Sequence, residues 1–390
     1  MVEGARLESV YTVKGIKGSN PFLSANIKKS KVDTKIFYIN KIFFSFIYKY
    51  MNKICIIYTH GKLGDFIWQL PYIKAISNFH NQKVTIITRP TTQAKILYRD
   101  LDYIEEIIYN DFKKDFYYWI EVIKLWKIFR NKNFDYVYLL DKVNRSAIAA
   151  KLAGIKNIIG LGIGNQKKFL TNKFFLDNED QRLSYSEQSQ KFCKLNSIKV
   201  ENFFPEIIIN KKRLDLLKTN LYPSKNFKVS FCVDASEEFK IWPEEYFCKL
   251  ADILNKNNFG DLFFLISHPK NKLYVDKIIS LSKKNYFVDC SSYNLLEICN
   301  IILNSKIFVG NNSGPTNLAA ALNVKSYILI SNTSLRELKF SRVIPILPDD
   351  YIEPADNAIN KIGDNLVRSR NLMKKVTPQR VFDKIVKTIS

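Results

Sequence analysis

Histidine is nearly missing from this chain, and so is any pairing of cysteines. The three histidines, His60, His80 and His268, lie far apart and offer no metal-ligand spacing. The six cysteines include no Cys-x-x-Cys pair, and most stand inside apolar runs. That pattern points to buried thiols in a reducing compartment rather than a disulfide framework or a zinc site. The apolar, aromatic stretch Ile36–Tyr50 is broken by Lys41 and is shorter than the ~20 residues needed to span a bilayer. It also lies too far from the N-terminus for a secretory signal, so a cytoplasmic location is the expectation. Neither a P-loop nor a Gly-x-Gly-x-x-Gly turn is present, which excludes two common nucleotide-binding signatures. Internal repeats and low-complexity tracts are missing too.

Acidic residues are also in deficit: 37 Asp and Glu stand against 60 Lys and Arg, for a formal charge of +23. The lysines are scattered through helical segments rather than gathered in one block. A solvated basic surface accounts for this, and so does attraction to an anionic partner such as a nucleotide, a phosphorylated glycan or an acidic membrane face. No nucleic-acid-binding module is recognisable, and nucleic acid is not an expected partner. What the chain has in quantity is apolar material, 46% of its residues, with 28 Phe and 21 Tyr. At 390 residues, that supports two domains with cores of their own. Residues 1–50 stand apart, because Gly18-Ser19-Asn20-Pro21 resembles the translated loop of a transfer-RNA gene. Met51 comes just before the first clean strand. The expectation is that synthesis starts at Met51 and that residues 1–50 are a leader wrongly joined to the reading frame.

From Lys53 onward, short β-rich runs alternate with helical segments, the pattern of βαβ units and a parallel sheet. Strands are predicted at Ile54–Tyr58, Val84–Thr88, Ile104–Ile108, Tyr136–Leu140 and Ile158–Gly160. Helices are predicted at Asp65–Phe79, Thr92–Arg99, Phe116–Asn131, Arg145–Leu152 and Ser184–Leu195. After a polar stretch around Lys211–Phe227, alternation restarts, with strands at Val229–Val233, Leu262–Ser267, Phe287–Asp289, Ile307–Val309 and Tyr327–Ile330. Helices fall at Glu244–Asn255, Tyr274–Ser282, Leu295–Leu303 and Pro315–Leu322, and a last one at Pro378–Ile389. The division this gives is 51–218, 226–350 and a tail with a helix at 351–390. Two successive doubly wound domains hold a ligand in the cleft between them.

Four short constellations carry chemistry. Gly310–Leu322 reads as strand, polar turn and small-residue helix, which offers free backbone N–H groups to an anion. Gly61-Lys62-Leu63-Gly64-Asp65 follows the first strand, and Asp65 either caps a helix or faces the cleft as a reactive carboxylate. Lys240 precedes Trp242-Pro243, and it either pairs with a phosphate or lies over Trp242 at the surface. Asp141 and Arg145, four apart, either form a helix ion pair or shape an acceptor pocket.

Taken together and in this order, these segments resemble the lipopolysaccharide heptosyltransferases, glycosyltransferase family 9, across roughly Lys53 to Ile330. The matching elements are Gly64-Asp65-Phe66-Ile67 with Leu70-Pro71, Asp141 with Arg145-Ser146, Lys240-Ile241-Trp242-Pro243, and the turn and alanine-rich helix at Gly310–Leu322. Two positions depart: Asn312 stands where members commonly carry Asp, and Asn317 where they carry His. The resemblance implies a GT-B fold, two Rossmann-like domains facing a central cleft, the first on the acceptor side and the second binding a nucleotide sugar. It implies an inverting, metal-independent transfer of a sugar, heptose first, from a nucleotide-diphosphate donor such as ADP-heptose to a lipopolysaccharide inner-core or related surface glycan. No cofactor is implied. Asp65 would be the catalytic base. Lys240, Asn312, Ser313, Gly314 and Asn317 would bind the donor, and Gly64, Asp141 and Arg145 would lie on the acceptor side. The implied partners are the donor, an anionic lipid-linked glycan and the inner membrane surface, with the chain peripheral to it. The alternatives are another GT-B transferase, a nucleotide-sugar epimerase, or a non-catalytic nucleotide- or glycan-binding relative.

Overall fold

Apolar runs too short for helices and too continuous for a half-exposed strand build two parallel sheets, each covered on both faces. The computed structural model describes residues 52–112, 118–217, 227–330, 333–340, 342–353 and 370–389. The readings of residues 1–50 as a leader and of Met51 as the start lie outside these residues, as do the beginning of the Phe116–Asn131 helix and part of the polar linker.

The first sheet contains β1 (Ile54–Tyr58), β2 (Val84–Thr88), β3 (Ile104–Tyr109), β4 (Tyr136–Leu139) and β5 (Asn157–Gly160), ordered β3-β2-β1-β4-β5 and parallel throughout. After β1 come α1 (Leu63–Ile67) and α2 (Leu70–His80), after β2 comes α3 (Ala94–Leu97), and after β3 comes α4 (Tyr118–Lys132). α5 (Asn144–Leu152) follows β4, and α6 (Tyr185–Leu195) and α7 (Lys211–Asp215) follow β5. In the second half β6 (Lys228–Cys232) leads to α8 (Glu244–Lys256), β7 (Leu262–Ile266) to α9 (Lys272–Leu281), and β8 (Phe287–Asp289) to α10 (Leu295–Leu303). β9 (Ile307–Asn311) leads to α11 (Gly314–Ala321), then come β10 (Ser326–Leu329), β11 (Val343–Ile346) and α12 (Pro378–Ile389). The second sheet runs β11-β10-β9-β6-β7-β8, again all parallel.

In both sheets the strand order reverses at one place, between β1 and β4 and between β6 and β9. At such a point neighbouring connections leave to opposite faces and open a crevice at the carboxyl ends of the strands. Both sheets belong to one compact unit, Asn52–Ser390. One continuous apolar cluster joins them, running from Ile56, Phe66 and Leu97 to Phe264, Ile298 and Leu318. The outer faces have separate cores, with α4 and α5 over the first sheet and α8, α9 and α12 over the second.

Local sequence explains where the structure departs from the pattern. The helix expected at Asp65–Phe79 is two helices. Pro71 lacks an N–H, and the chain tightens through Gln69, whose N–H reaches the Phe66 carbonyl at 3.0 Å. The helix expected at Thr92–Arg99 shrinks to a 3-10 turn, Pro90–Thr92, and α3, separated by Gln93 in the left-handed region at φ 56°. β11 was not foreseen. Its Pro345 argues against a central strand but suits the sheet edge that β11 occupies. All six cysteines are buried free thiols. Among the described residues no helix is long and apolar enough to cross a membrane.

Candidate functional site

The carboxyl end of β1 is clamped at one peptide. The Thr59 N–H donates to Asp141 Oδ2 at 2.8 Å, and its carbonyl accepts from Arg89 Nε at 2.5 Å. Asp141, just past β4, also accepts the Val143 N–H at 2.9 Å. Arg89, just past β2, sends Nη2 to the Phe112 carbonyl at 2.7 Å, where Arg145 Nη2 also arrives at 3.1 Å. Phe112 presents that carbonyl from the left-handed region at φ 50°. Gly61 is needed where the Arg89 side chain passes, because a Cβ there would lie 2.7 Å from Thr91 Oγ1 and 3.0 Å from Arg89 Cδ. The exits of β1, β2, β3 and β4 are thus tied together beneath the turn that carries Asp65.

Asp65 is the third residue of α1, and Lys62 occupies the N-cap position. Capping therefore does not account for this aspartate, although an acid in a helix's first turn is favoured by the helix dipole. It is partly exposed. Burial lifts its pKa above the ordinary carboxylate value, opposed by the positive charges of Lys62, His60 and Lys240. Lys240 belongs to the second domain, so its field reaches Asp65 across the cleft. His60 stands between two carboxylates: burial lowers its pKa, while Asp141 and Asp65 pull it back up. Its ring lies 4.4 Å from that of Tyr185 and 5.2 Å from that of Tyr58. Asp141 is buried, and desolvation raises its pKa against the hydrogen bonds from Val143 and Thr59 and the charge of His60.

On the other side of the cleft, β9 ends at Asn311 and α11 begins at Gly314. Gly310 is required there, since a Cβ would lie 2.5 Å from Thr316 Oγ1 and 2.8 Å from Cys232 Cβ. Ser313 is the N-cap of α11, but its side chain does not cap; its Oγ lies 3.1 Å from Cys232 Sγ. Asn312 donates through Nδ2 to Thr333 Oγ1 at 3.1 Å. Asn317 donates weakly to the Ser313 carbonyl at 3.4 Å, and its Oδ1 is buried without a hydrogen-bond partner among the described residues. Asn311 Oδ1 accepts the Trp242 N–H at 3.0 Å, joining this turn to the loop that carries Lys240. Trp242 is wholly buried and donates through Nε1 to the Val376 carbonyl at 2.7 Å, so it leaves no exposed surface for Lys240 to cover. The Lys240 ammonium lies 2.5 Å from Glu237 Oε2 and 5.5 Å from the centre of the Phe239 ring.

The two sides meet at glycines. A Cβ on Gly64 would stand 3.1 Å from Asn317 Nδ2 and 3.4 Å from Gly314 Cα, and one on Gly314 would stand 3.5 Å from the Gly64 nitrogen. The N-terminal turns of α1 and α11 therefore touch. Such ends carry partial positive charge from unpaired N–H groups, an arrangement that attracts an anion between or beside them. Gly64, Asp65, Ser313, Gly314 and Asn317 are brought together here, with Lys240 at the rim. Asp141 and Arg145 lie under the Asp65 turn, with Asp141's carboxylate on backbone amides. Arg89, Asn311 and a role for His60 escaped the sequence reading. Arg89 was findable as a charged residue directly after a strand, at the edge where ligands bind.

Among the described residues no group of three or more His, Cys, Asp or Glu side chains is placed to hold a metal ion.

A family model described as glycosyltransferase family 9 (heptosyltransferase) matches residues 122–341. The chain is 24% identical over 220 residues to lipopolysaccharide heptosyltransferase 1 of Campylobacter coli, a match that takes in 52% of this chain and 63% of that protein. The chain thus spans less than two thirds of that relative's length. Among solved structures, the ADP-heptose lipopolysaccharide heptosyltransferase II of E. coli superposes with a TM-score of 0.68 at 19% identity, over 86% of this chain and 98% of that one. A glycosyl transferase of family 9 from Veillonella parvula does so with a TM-score of 0.69 at 15% identity, over 85% and 95%. These likenesses show the fold, two Rossmann-like domains of the GT-B kind.

Proposed function

Because this chain belongs to glycosyltransferase family 9 (heptosyltransferase), we propose that it moves a sugar from a nucleotide-diphosphate donor to a surface-glycan acceptor in the cleft where α1 meets α11. Heptose from ADP-heptose is the first donor to consider, since the E. coli structural relative is described as an ADP-heptose enzyme. A lipopolysaccharide inner-core glycan is the first acceptor to consider, a reading supported by the Campylobacter coli relative, which is named a lipopolysaccharide heptosyltransferase.

The observation that carries this reading is the contact of Gly64 with Gly314 and Asn317. It brings the turn that carries Asp65 against a helix start, and a helix start is suited to a diphosphate. In the proposed reaction Asp65 accepts the proton of the acceptor hydroxyl as the hydroxyl oxygen attacks the anomeric carbon. The bond from that carbon to the phosphate oxygen breaks, and its electron pair leaves on the nucleoside diphosphate. One displacement of this kind inverts the anomeric centre. Burial raises the pKa of Asp65 and the neighbouring positive charges hold that rise back; in its ionised form the carboxylate takes the proton directly. Charge growing on the leaving group meets the Lys240 ammonium and the amides at the start of α11. Asn312 and Asn317 keep donors and acceptors there but add no charge.

The test is transfer from a panel of nucleotide sugars to a lipopolysaccharide precursor, read as a mass increase of the acceptor by one sugar. Donor affinity of Lys240→Ala is measured alongside by calorimetry. We expect one donor to give product and Lys240→Ala to weaken donor binding at least tenfold, with acceptor affinity unchanged. Donor binding without transfer from any member of the panel would instead favour a non-catalytic binding protein.

A further inference from the structure

Helix α4 turns its single acid inward and leaves an apolar and basic face in water. Glu121 is fully buried and accepts from Asn110 Nδ2 at 2.8 Å and Lys124 Nζ at 3.3 Å. Trp119, Ile120 and Ile123 remain 64%, 44% and 50% exposed. At 100° per residue these three share the outward side of the first turns with Lys124, Lys127 and Arg130, all exposed. The inward side is accounted for, since Val122, Leu125 and Phe129 fill the core under the first sheet. Exposing a tryptophan and two isoleucines within two turns has a cost in water that solvation of a basic surface does not explain.

Placement adds a second observation. α4 is the next helix after β3, and the Asn110–Glu121 bond pins its first turns to the carboxyl edge of the first sheet. That is the edge where Thr59, Asp141 and the Asp65 turn stand. The Trp119 end of the patch is therefore on the same edge as the cleft.

We propose that the outward face of α4 is the surface by which this chain docks on an anionic lipid bilayer. Tryptophan and isoleucine enter the headgroup boundary, and lysine and arginine meet lipid phosphates, the combination that holds interfacial helices to membranes. Charge decides in favour of lipid over a second copy of the chain. A like copy, also at +23, would bring cations against cations, whereas an acidic bilayer complements them. The inference goes beyond the transfer reading and does not depend on it, because docking requires neither donor nor glycan.

The experiment is sedimentation of the full chain with extruded vesicles, either equimolar in phosphatidylglycerol and phosphatidylcholine or of phosphatidylcholine alone. We expect binding to the anionic vesicles that falls as salt is raised, and little to the neutral ones. Trp119→Ser combined with Ile123→Ser should weaken binding about tenfold or more. Lys127→Gln combined with Arg130→Gln should weaken it roughly thirtyfold at low salt, with the thermal midpoint nearly unchanged. Wild-type chain that ignores anionic vesicles overturns the proposal, and so do two double variants that bind as wild type does. It is equally overturned if Trp119→Ser with Ile123→Ser leaves vesicle binding intact and instead breaks up a dimer in vesicle-free sedimentation velocity.

Discussion

At Asp65, burial raises the affinity for a proton and three nearby cations lower it, with burial the larger effect. A carboxyl whose folded pKa is raised contributes stability below its unfolded pKa, and that contribution is lost as the pH rises through the folded pKa. At neutral pH the charged Asp65 therefore costs stability. Asp65→Asn should raise the melting midpoint at pH 7, and the gain should vanish near about pH 4; a midpoint series across pH reads this directly. The acid limb of kcat/KM for transfer should lie above the ordinary carboxylate range. Arg89 acts at one remove, through the Thr59 carbonyl, and is a positioning residue. Arg89→Lys keeps the charge but loses the fork that reaches both the Thr59 and Phe112 carbonyls. We expect kcat to fall roughly 10- to 100-fold with donor affinity unchanged, the signature of a misplaced base. Steady-state kinetics beside donor calorimetry separates this from a general folding loss, which would lower both.

Among the elements, the contact of α1 with α11 decides most. Gly64→Ala would place a methyl 3.1 Å from Asn317 Nδ2 and 3.4 Å from Gly314 Cα. The Asn317 amide must then give way by a few tenths of an ångström, while the approach to Gly314 stays at ordinary contact distance. Transfer should drop at least about tenfold, given how steeply rate depends on alignment. Donor binding should change less, because the backbone of the α11 turn keeps its place; single-turnover rates beside donor affinity test this. Sequence made the parts of this contact legible separately. The Gly-rich turns, the apolar strands and the alanine helix all follow from composition and period. The meeting of Gly64 with Gly314 did not, because it depends on how two domains pack and joins residues 250 apart in sequence. The clamp of Arg89 on Thr59 was hidden for a similar reason, since it joins the ends of non-sequential strands. β11 was hidden by Pro345, and the division of α1 from α2 by a proline that also suits a helix start.

Across the whole molecule, two sheets of the same winding present their switch points to a shared cleft. One side supplies a partly buried carboxylate. The other supplies a helix start with neutral asparagines and a lysine at the rim. On the proposed readings the large positive charge has a use, at the outward face of α4 and toward an anionic donor and acceptor. The most direct test is a single turnover of labelled nucleotide sugar, saturating in donor, with a lipopolysaccharide precursor, comparing wild type with Asp65→Asn at pH 7. The account predicts a product of inverted anomeric configuration from the wild type. From Asp65→Asn it predicts a rate lower by roughly 10²- to 10⁴-fold with donor still bound. An Asp65→Asn variant that transfers sugar at the wild-type rate, or a wild-type product of retained configuration, would contradict it.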